Sequence, residues 1–319
     1  MDMGSESERT SRENWLPRAA RVASRVVAVD SVGSTNALAD QLVRDGSLRV
    51  DPGEAAVVAA RRQTAGRGRL DHVWASREGR SFTMSFVVAV PRSLVFDDAV
   101  NGWIQMIAGL AAIDAIEGAV RALGLRLRSP LRLKWPNDVF LDGRKLGGIL
   151  CQLSAWSDGD GIAGVAGGIS VDLAPGAEAT IPVIIGIGLN LAVPTDELPT
   201  QNATSLHLHL GGPNAGIAPS KVLDADGWSD AIAAGIAAAL AKRLQTFAHD
   251  PHAEASALRN ETESVCLTLG RTAVAHFTDG TELTGEAIAL NSDASLTIRT
   301  PDGRDHRVTT ADVSVLPRE

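Results

Sequence analysis

Two of the chain's four lysines, Lys134 and Lys145, stand close together in the segments KWPND and RKLGG. Arginine, which the chain uses freely, would serve equally well for solubility, so lysine here indicates a need for a compact cation. With the Asn137 amide and the Asp138 carboxylate alongside, the set suits nucleotide phosphates with Mg²⁺, which takes one or two carboxylates together with substrate oxygens. An exposed hairpin with Trp135 in the core explains the same residues without any ligand.

A second candidate site is the glycine-rich basic stretch from Gln63 to Arg69, with the sequence QTAGRGR. Glycine lets the backbone approach a ligand closely and turn its amides towards an anion. Arg67 and Arg69 add two guanidinium groups, which suit phosphate or carboxylate because each can make two parallel hydrogen bonds. The stretch predicts an anion-binding loop, and taken alone it is equally compatible with a solvated turn.

A third candidate is the segment Gly186–Asn190 (GIGLN), an apolar run that is interrupted by two glycines and ends on an amide. Glycine within a strand marks the close approach of a ligand or of another backbone. The Asn190 side chain offers both donors and an acceptor, which is enough to read the edge of a base. A strand end packed against a helix is the alternative interpretation.

Length and composition exclude several classes of protein. The chain has 319 residues, 45% of them hydrophobic, which favours one large domain with a small one and excludes a disordered chain. The net charge of −8 argues against a broad nucleic-acid surface, so any anion site must be local. Cys151 and Cys266 have no CxxC or Cys/His spacing, which argues against a disulfide framework and against structural zinc.

The sequence also carries an expectation about the compartment. The N-terminal stretch is polar and charged and lacks the apolar segment of a signal peptide. No stretch reaches the roughly 18 uninterrupted apolar residues that a membrane span requires. We therefore expect a soluble cytoplasmic protein with no membrane partner.

Strands and helices in mixed order must position the three candidate segments. Ser34 and Thr35 stand where a helix N-cap belongs, directly after the strand RVVAVD. The basic loop then joins two strands, and the two lysines lie on the strands of a hairpin. The expected strands cover 25–30, 54–62, 81–90, 131–135, 144–154, 162–172 and 183–191, and the expected helices start near 35 and cover 99–122 and 219–248. This order predicts an α+β domain on a largely antiparallel sheet.

Changes in composition predict the domain boundaries. Residues 1–20 are polar and are expected to form a mobile arm. Residues 21–260 hold all three candidate segments and form the expected main domain. Over 261–319, short alternating runs broken by DG, NSD and PDG turns predict a small antiparallel β-barrel of the SH3-like kind.

Taken together, these segments resemble the biotin protein ligases. The motifs STN from Ser34, QTAGRGR with Trp74, KWPNDV, KLGGIL and GIGLN occur in that family's order and rough spacing, over about residues 22–260. The resemblance implies a class II synthetase-like mixed sheet flanked by helices, followed by the family's small C-terminal domain. It also implies that biotin and ATP form biotinyl-5′-AMP with release of pyrophosphate, and that the biotinyl group then passes to one lysine of a biotin carboxyl carrier protein.

The resemblance assigns one group of residues to biotin. Bringing a carboxylate against a phosphate requires cations that neutralise both. Arg67, Arg69 and Lys145 match the family positions that hold the biotin carboxylate and the new acyl phosphate, and Arg69 and Lys145 are expected to be catalytic. The positions matched to biotin binding are Ser34, Thr35, Asn36, Gln63, Gly66, Arg67, Gly68, Arg69, Lys145 and Gly147.

A second group is matched to the nucleotide. Lys134 and Asp138 are the other two expected catalytic residues, and Asp138 matches the carboxylate expected near Mg²⁺ or near the incoming acceptor amine. Asn190 matches the amide that contacts adenine, and Trp74 flanks the nucleotide. The positions matched to ATP binding are Arg69, His72, Trp74, Lys134, Asn137, Asp138 and Asn190.

The chain departs from the family pattern directly after the basic loop. Where the family usually has any residue, glycine and arginine, this chain has Leu70, Asp71 and His72. A histidine carries a full charge only in acid, so it would hold phosphate well only when protonated. The loop over 64–74 and the stretch over 203–213 are expected to become ordered when substrate binds. The stretch over 155–182 is longer than the family minimum and has no assigned role.

Two histidines, His207 and His209, alternate with leucines. A pair of this kind invites a metal site, but such pairs more often lie on the wet face of a short strand or helix. We expect the solvent-facing arrangement and no metal.

Three other functions compete with biotin ligation. A lipoate ligase shares the fold and the acyl-adenylate chemistry, but GRGR and KWPND favour biotin. A DNA-binding repressor needs a helix-turn-helix of about 50 to 60 residues, and only some 20 polar residues precede Val22. An interaction module with an RNA-binding loop fits poorly with the net negative charge. We expect no nucleic-acid partner and either a monomer or a homodimer.

Overall fold

The computed structural model describes residues 15–69, 72–154, 179–212 and 225–316. All three candidate segments fall within these ranges. Some sequence expectations lie outside the described residues. They concern residues 1–14 of the expected arm, Leu70 and Asp71, and most of the 155–182 stretch, including the expected strand over 162–172.

A seven-stranded mixed sheet forms the centre of the larger domain. Its strands are β1 (Arg25–Val32), β2 (Ala55–Gln63), β5 (Ser81–Pro91), β7 (Leu131–Lys134), β8 (Asp138–Leu141), β9 (Arg144–Leu153) and β10 (Thr180–Asn190), in the order β1-β2-β5-β10-β9-β8-β7. Strands β1 and β2 run parallel and the other neighbouring pairs run antiparallel, so the expected largely antiparallel sheet is confirmed. Four short strands make two further pairs, β3 (Gly66–Arg67) with β4 (Val73–Trp74) and β6 (Arg126–Leu127) with β11 (Leu210–Gly211).

Helices cover this sheet on both faces. They are α1 (Thr35–Arg44), α2 (Arg92–Val95), α3 (Trp103–Ala122), α4 (Ala225–His249) and α5 (Pro251–Val265). The side chains of a strand point alternately to the two faces of its sheet. Phe82 and Phe86 of β5 therefore pack with α3 and α4, whereas Val87 and Ile184 pack with α1 on the opposite face.

Helix α3 owes its apolar sequence to its place between the sheet and α4. By length and composition it could cross a membrane, but 78% of its apolar window is buried inside the molecule. Small residues let the two helices approach closely, since a Cβ added to Gly235 of α4 would lie 2.8 Å from the Cβ of Ala115. The apolar face of α3 is thus used by the core of the domain.

The smaller domain is an antiparallel sheet of five strands. These are β12 (Arg271–His276), β13 (Glu282–Leu290), β14 (Leu296–Arg299), β15 (Asp305–Val308) and β16 (Asp312–Val315), in the order β15-β14-β13-β12-β16. Within the described part of the chain, β15 and β16 are the two ends of this order, and the closed SH3-like barrel is not observed. The run VCLTL forms only a bridge, between Cys266 and Leu133 of β7.

Two tryptophans of the larger domain hold the smaller one in place. Trp135 donates from Nε1 to the carbonyl of Ala294 at 2.9 Å, and Trp103 donates in the same way to Ser292 at 2.6 Å. Both acceptors lie in the turn between β13 and β14. Trp135 immediately follows Lys134, so the small domain is attached beside a candidate catalytic residue.

Two sequence expectations about boundaries need correction. Leu16 and Ala19 are fully buried, and the backbone amides of Arg18 and Ala19 donate to the Asp230 carboxylate of α4, so ordered structure begins before residue 20. The expected boundary near residue 260 falls inside α5. The start of α5 had a local signal in Asp250, which caps the helix by accepting from the amide of Ala253 at 3.1 Å.

Candidate active site

A cavity of about 770 Å³ opens on the α1 face of the sheet. Segments from all three candidate motifs, from the start of α1 and from the small domain line it. The sequence-predicted residues that line it are Ser34, Thr35, Asn36, Gln63, Arg67, Gly68, Arg69, His72, Trp74, Lys134, Asn137, Asp138, Lys145 and Asn190. The fold thus brings almost the whole predicted set to one place.

The structure gives two of the expected biotin-binding glycines a different position. Gly66 and Gly147 do not line the cavity. A Cβ on Gly147 would lie 2.1 Å from the carbonyl oxygen of Gly188, and a Cβ on Gly66 would lie 2.5 Å from that of Trp74. These glycines allow neighbouring strands to pack closely behind the cavity, which explains their residue type without a ligand.

One side of the cavity is lined by the uncharged polar side chains of Thr35, Asn36 and Gln63. Ser85 lies behind them and bonds to two of them, and these four residues are hereafter the neutral wall. The amide and the hydroxyl of Thr35 both donate to Gln63 Oε1, at 2.7 and 3.0 Å. Ser85 Oγ lies 2.8 Å from Thr35 Oγ1 and 2.6 Å from Asn36 Oδ1. Asn36 Nδ2 in turn donates to Gln152 Oε1 at 3.1 Å. These hydrogen bonds hold the four side chains in a defined arrangement.

Local sequence explains why these groups meet. Ser34 caps α1, with its Oγ accepting from the amide of Ala37 at 3.5 Å, and this places the next two residues at the cavity. Gly186 leaves room for Asn36, because a Cβ there would lie 2.2 Å from Asn36 Oδ1. Sequence reasoning missed Ser85, although the alternation SFTMSF, with every second residue polar, is a signal for it.

The opposite side of the cavity carries Arg69, Lys134, Asp138 and Lys145, hereafter the charged wall. Asp138 begins β8, between β7 and β9, and its carboxylate lies between two ammonium groups. Lys134 Nζ is 3.1 Å from Asp138 Oδ2, and Lys145 Nζ is 2.6 Å from Asp138 Oδ1. The Lys145 side chain is 41% exposed, against 13% for Lys134, so Lys145 presents the more accessible cation to the cavity.

The basic loop and the small domain close the charged wall. Arg69 Nη1 donates to Asn137 Oδ1 at 3.4 Å and to the carbonyl of Ala311 at 3.3 Å. Burial lowers the pKa of the Arg69 guanidinium, and the nearby carboxylates of Asp312 and Asp138 act in the opposite direction. An arginine with a lowered pKa still remains a cation at neutral pH. His72 Nε2 lies 3.7 Å from Asp312 Oδ2, so the loop contacts the small domain at a second point.

Trp74 and Asn190 occupy the third side of the cavity. The Trp74 indole rests on Gly188, where a Cβ would lie 2.4 Å from the ring. Asn190 is buried, and its Nδ2 donates to the carbonyl of Thr204 at 3.0 Å, which fixes the orientation of the amide. The glycine in GIGLN is therefore explained by the close approach of an aromatic side chain.

Several lining residues had no motif in the sequence to mark them. They come from the segment before and around Ala203 and from the small domain: Pro199, Thr200, Asn202, Ala203, Arg271, Asp312 and Ser314. The expectation for the two histidines was wrong for His209, which is buried and lies 2.7 Å through Nε2 from Thr204 Oγ1. No cluster of three His, Cys, Asp or Glu residues that could hold a metal occurs in the described ranges.

Neither cysteine lines the cavity. Burial raises the pKa of the Cys151 thiol to about 12, and Arg69 lowers it only in part. Burial also raises the pKa of Cys266. Because the thiolate is the nucleophilic form, burial makes both thiols weaker nucleophiles.

The fit to Mg²⁺ depends on Asp138. Both oxygens of this carboxylate are already paired with lysines. Mg²⁺ commonly takes most of its ligands from nucleotide phosphates and water, with one or two carboxylates from the protein. The cavity therefore suits Mg²⁺ that arrives with ATP as part of the substrate better than a resident ion held by the chain alone.

Comparison with known sequences shows where the similarity lies. The model of the biotin/lipoate A/B protein ligase family matches residues 32–168. The bifunctional ligase/repressor BirA of Bacillus spizizenii is 29% identical over 172 residues, which cover 54% of this chain and 42% of that protein. The biotin--[acetyl-CoA-carboxylase] ligase of Mycobacterium tuberculosis is 31% identical over 198 residues, 61% of this chain and 60% of that protein. The matched region thus spans less than two thirds of these relatives.

Comparison with solved structures extends the similarity in fold to most of the chain. A biotin protein ligase from Aquifex aeolicus in complex with biotin and ATP superposes with a TM-score of 0.60 and 22% identity, covering 92% of this chain and 100% of that one. At this level of identity the match shows a shared fold.

Proposed function

We propose, from the premise that residues 32–168 belong to the biotin/lipoate A/B protein ligase family, that the chain is an ATP-dependent biotin protein ligase. It joins biotin and ATP into biotinyl-5′-AMP with release of pyrophosphate, and it then passes the biotinyl group to a lysine of a biotin carboxyl carrier protein. The observation that carries the proposal is a single cavity with a neutral wall on one side and a charged wall on the other. The Aquifex aeolicus structure, which holds biotin and ATP, has the same fold.

The neutral wall suits the ureido ring of biotin. That ring presents one carbonyl and two N–H groups, which need short polar partners inside an otherwise apolar site. Thr35, Asn36 and Gln63 offer such partners at the cavity surface. Since Ser85 fixes the Thr35 hydroxyl and the Asn36 amide, these groups are already oriented when the ring arrives.

The charged wall suits the two chemical steps. In the first, a biotin carboxylate oxygen forms a bond to the α-phosphorus of ATP while the bond to pyrophosphate breaks, and Arg69, Lys134 and Lys145 offset the repulsion between the anions. In the second, the amine of the acceptor lysine attacks the acyl carbon, AMP leaves with the bonding electrons, and the nitrogen releases one proton to solvent as the amide forms. Both steps rest on orientation and charge stabilisation, and neither requires a covalent bond to the enzyme.

The partner and the compartment follow from this chemistry as proposals. The acceptor is the carrier domain of a biotin-dependent carboxylase, in agreement with the name of the Mycobacterium tuberculosis relative, a biotin--[acetyl-CoA-carboxylase] ligase. The charge of −8 gives no support to a nucleic-acid partner, and we expect the protein to act in the cytoplasm as a monomer or a homodimer.

Exchange of labelled pyrophosphate into ATP tests the adenylation step. Purified protein with biotin should give exchange at least about a hundredfold faster than with lipoate, because the uncharged polar groups suit a ureido ring and a dithiolane ring offers them no hydrogen bonds. Exchange with lipoate alone would identify a lipoate ligase, and exchange with neither substrate would refute acyl-adenylate formation.

A second assay tests transfer. Biotin should become attached to a carboxyl carrier domain in the presence of ATP, and a carrier in which the acceptor lysine is replaced by arginine should remain unlabelled. Equal labelling of both carriers would mean release of a reactive adenylate into solution rather than directed transfer.

A further inference from the structure

We infer that His209 is a positioning residue for this reaction, which holds the segment Asn202–Ser205 against Lys145 and Asn190 through the hydroxyl of Thr204. The inference rests on the proposed function of the cavity and deepens it. His209 does not line the cavity, so it acts on the reaction only through the residues that do.

The segment Asn202–Ser205 is attached to the backbone of Lys145 on both sides. The amide of Lys145 donates to the carbonyl of Asn202 at 2.8 Å, and the amide of Thr204 donates to the carbonyl of Lys145 at 2.8 Å. Ala203, between them, pairs with Lys145 in a parallel bridge. The position of the Lys145 main chain, and with it the root of the reactive ammonium group, is therefore set by this segment.

The same segment fixes Asn190 at the other end of the cavity. The carbonyl of Thr204 accepts from Asn190 Nδ2 at 3.0 Å, and Ser205 Oγ donates to the carbonyl of Asn190 at 3.3 Å. Ser205 Oγ also accepts from the amide of Val193 at 2.9 Å. Thr204 and Ser205 are fully buried, so none of these bonds is exchanged for water while the fold is intact. One short segment thus sets the positions of a charged-wall lysine and of the amide matched to adenine.

His209 supplies the side-chain contact that secures Thr204. Its Nε2 lies 2.7 Å from Thr204 Oγ1, and its own backbone is held because the amide of Arg128 donates to the His209 carbonyl at 2.9 Å. Strand β11 follows immediately and pairs with β6, which anchors the imidazole on a separate part of the fold. Removing the ring leaves a buried hydroxyl without its partner and frees the segment to shift.

The surroundings of the imidazole disfavour its charged form. Burial lowers the pKa of His209, with Asp142 acting against that shift and Arg144, Arg128 and His207 reinforcing it. His209 Nδ1 lies 4.0 Å from Asp142 Oδ2, at the outer side of the ring. The ring therefore contacts Thr204 through Nε2 and faces Asp142 through Nδ1.

Substitution of His209 tests the positioning role with a split between kinetic constants. In pyrophosphate exchange, His209→Leu should raise the KM for ATP about tenfold and lower kcat about tenfold, since Asn190 and Lys145 both lose their alignment. The KM for biotin should rise clearly less than the KM for ATP, because Lys145 is the one group assigned to biotin that bonds to the segment, whereas the hydrogen bonds of the neutral wall do not involve it. His209→Gln, which places an amide near the position of Nε2, should restore most of the loss.

The matched control is His252, whose side chain is 70% exposed and lies far from the segment in the sequence. His252→Leu makes the same chemical change on the surface and should leave all three constants unchanged. An equal rise of the KM for biotin in His209→Leu, or a failure of His209→Gln to recover activity, would overturn the positioning role.

Amide hydrogen exchange without substrates separates this inference from the proposed function. The amides of Thr204 and Lys145 should exchange about tenfold faster in His209→Leu than in the wild-type chain, with amides of α3 unchanged, and His209→Gln should reverse the effect. Uniform acceleration over the whole fold would reduce His209 to a stability residue and refute the inference. A wild-type chain that shows no pyrophosphate exchange would refute the proposed function. Amide hydrogen exchange would still decide whether His209 positions the segment, because it needs no substrate.

Discussion

The neutral wall and the charged wall hold their polar groups in different ways. In the neutral wall, Thr35, Asn36 and Gln63 sit on regular elements and bond to one another and to Ser85. In the charged wall, the three cations come from strand ends and from a glycine-rich loop. Both lysines pair with the carboxylate of Asp138, and Arg69 lies near Asp138 and Asp312. The first arrangement favours fixed recognition of shape and hydrogen bonds. The second has more cations than carboxylates, which suits the binding of phosphate groups.

The polar groups of the two walls are also expected to contribute different amounts of free energy. A hydrogen bond between uncharged groups contributes about 1 kcal/mol net, because water competes for both partners. Cations that face a developing anion in a site from which water is excluded contribute several times as much. We therefore expect substitutions in the charged wall to affect rate strongly, and substitutions in the neutral wall to affect biotin binding moderately.

The largest expected effect is that of Lys145→Ala. Removing the more exposed of the two ammonium groups beside Asp138 should lower the rate of pyrophosphate exchange at least about a hundredfold, since the carboxylate and the phosphate then repel each other with one cation fewer. Lys242→Ala removes an exposed lysine of α4 and serves as the control. An unchanged rate in Lys145→Ala would remove the main distinction between the two walls.

A smaller effect is expected for Ser85→Ala in the neutral wall. Loss of this hydroxyl leaves Thr35 and Asn36 less well oriented, so the KM for biotin should rise about tenfold while the KM for ATP stays constant. Thr83→Val is the matched control, because its hydroxyl lies on the same strand and donates to the carbonyl of Ala60 at 2.6 Å, outside the cavity lining. If both variants raised the KM for biotin equally, the effect would be one of strand stability.

The smallest expected effect belongs to His72→Arg, at the edge of the charged wall. His72 is 70% exposed and faces Asp312 at 3.7 Å, so solvent screens most of its charge. Arginine offers a phosphate two parallel donors in a fixed fork, which an imidazole cannot do. The substitution should lower the KM for ATP about threefold in steady-state assays. An unchanged KM would show that the side chain at position 72 does not reach the nucleotide.

The sequence indicated which residues meet at the cavity more fully than it indicated what holds them there. Lys134, Asp138 and Lys145 lie in short motifs whose residue types suggest a nucleotide site, and two short strand pairings suffice to bring them together. The contribution of Asp312 and Arg271 depends on how the small domain docks, and no local pattern records such a long-range contact. The polar composition of residues 1–20 predicted a mobile arm. A few apolar residues such as Leu16, which is fully buried, do not show in the mean composition of the segment.

The expectation that His209 faces solvent was wrong for a different reason. The alternation with leucines led us to expect both histidines on the wet face of a short strand or helix, and residues Leu206–His209 form a 3₁₀ helix. With three residues per turn, positions two apart point in different directions. The ring of His209 therefore turns into the protein, where its partner Thr204 is fully buried.

Trp135 connects the small domain to the strand that carries Lys134. Its backbone amide donates to Thr268 Oγ1 at 2.9 Å, its indole donates to Ala294 in the turn of the small domain, and its neighbour in the chain is Lys134. A displacement of the small domain would therefore pull on β7, the strand that ends at Lys134. Trp135 thus links the docking of the small domain to the position of the charged wall.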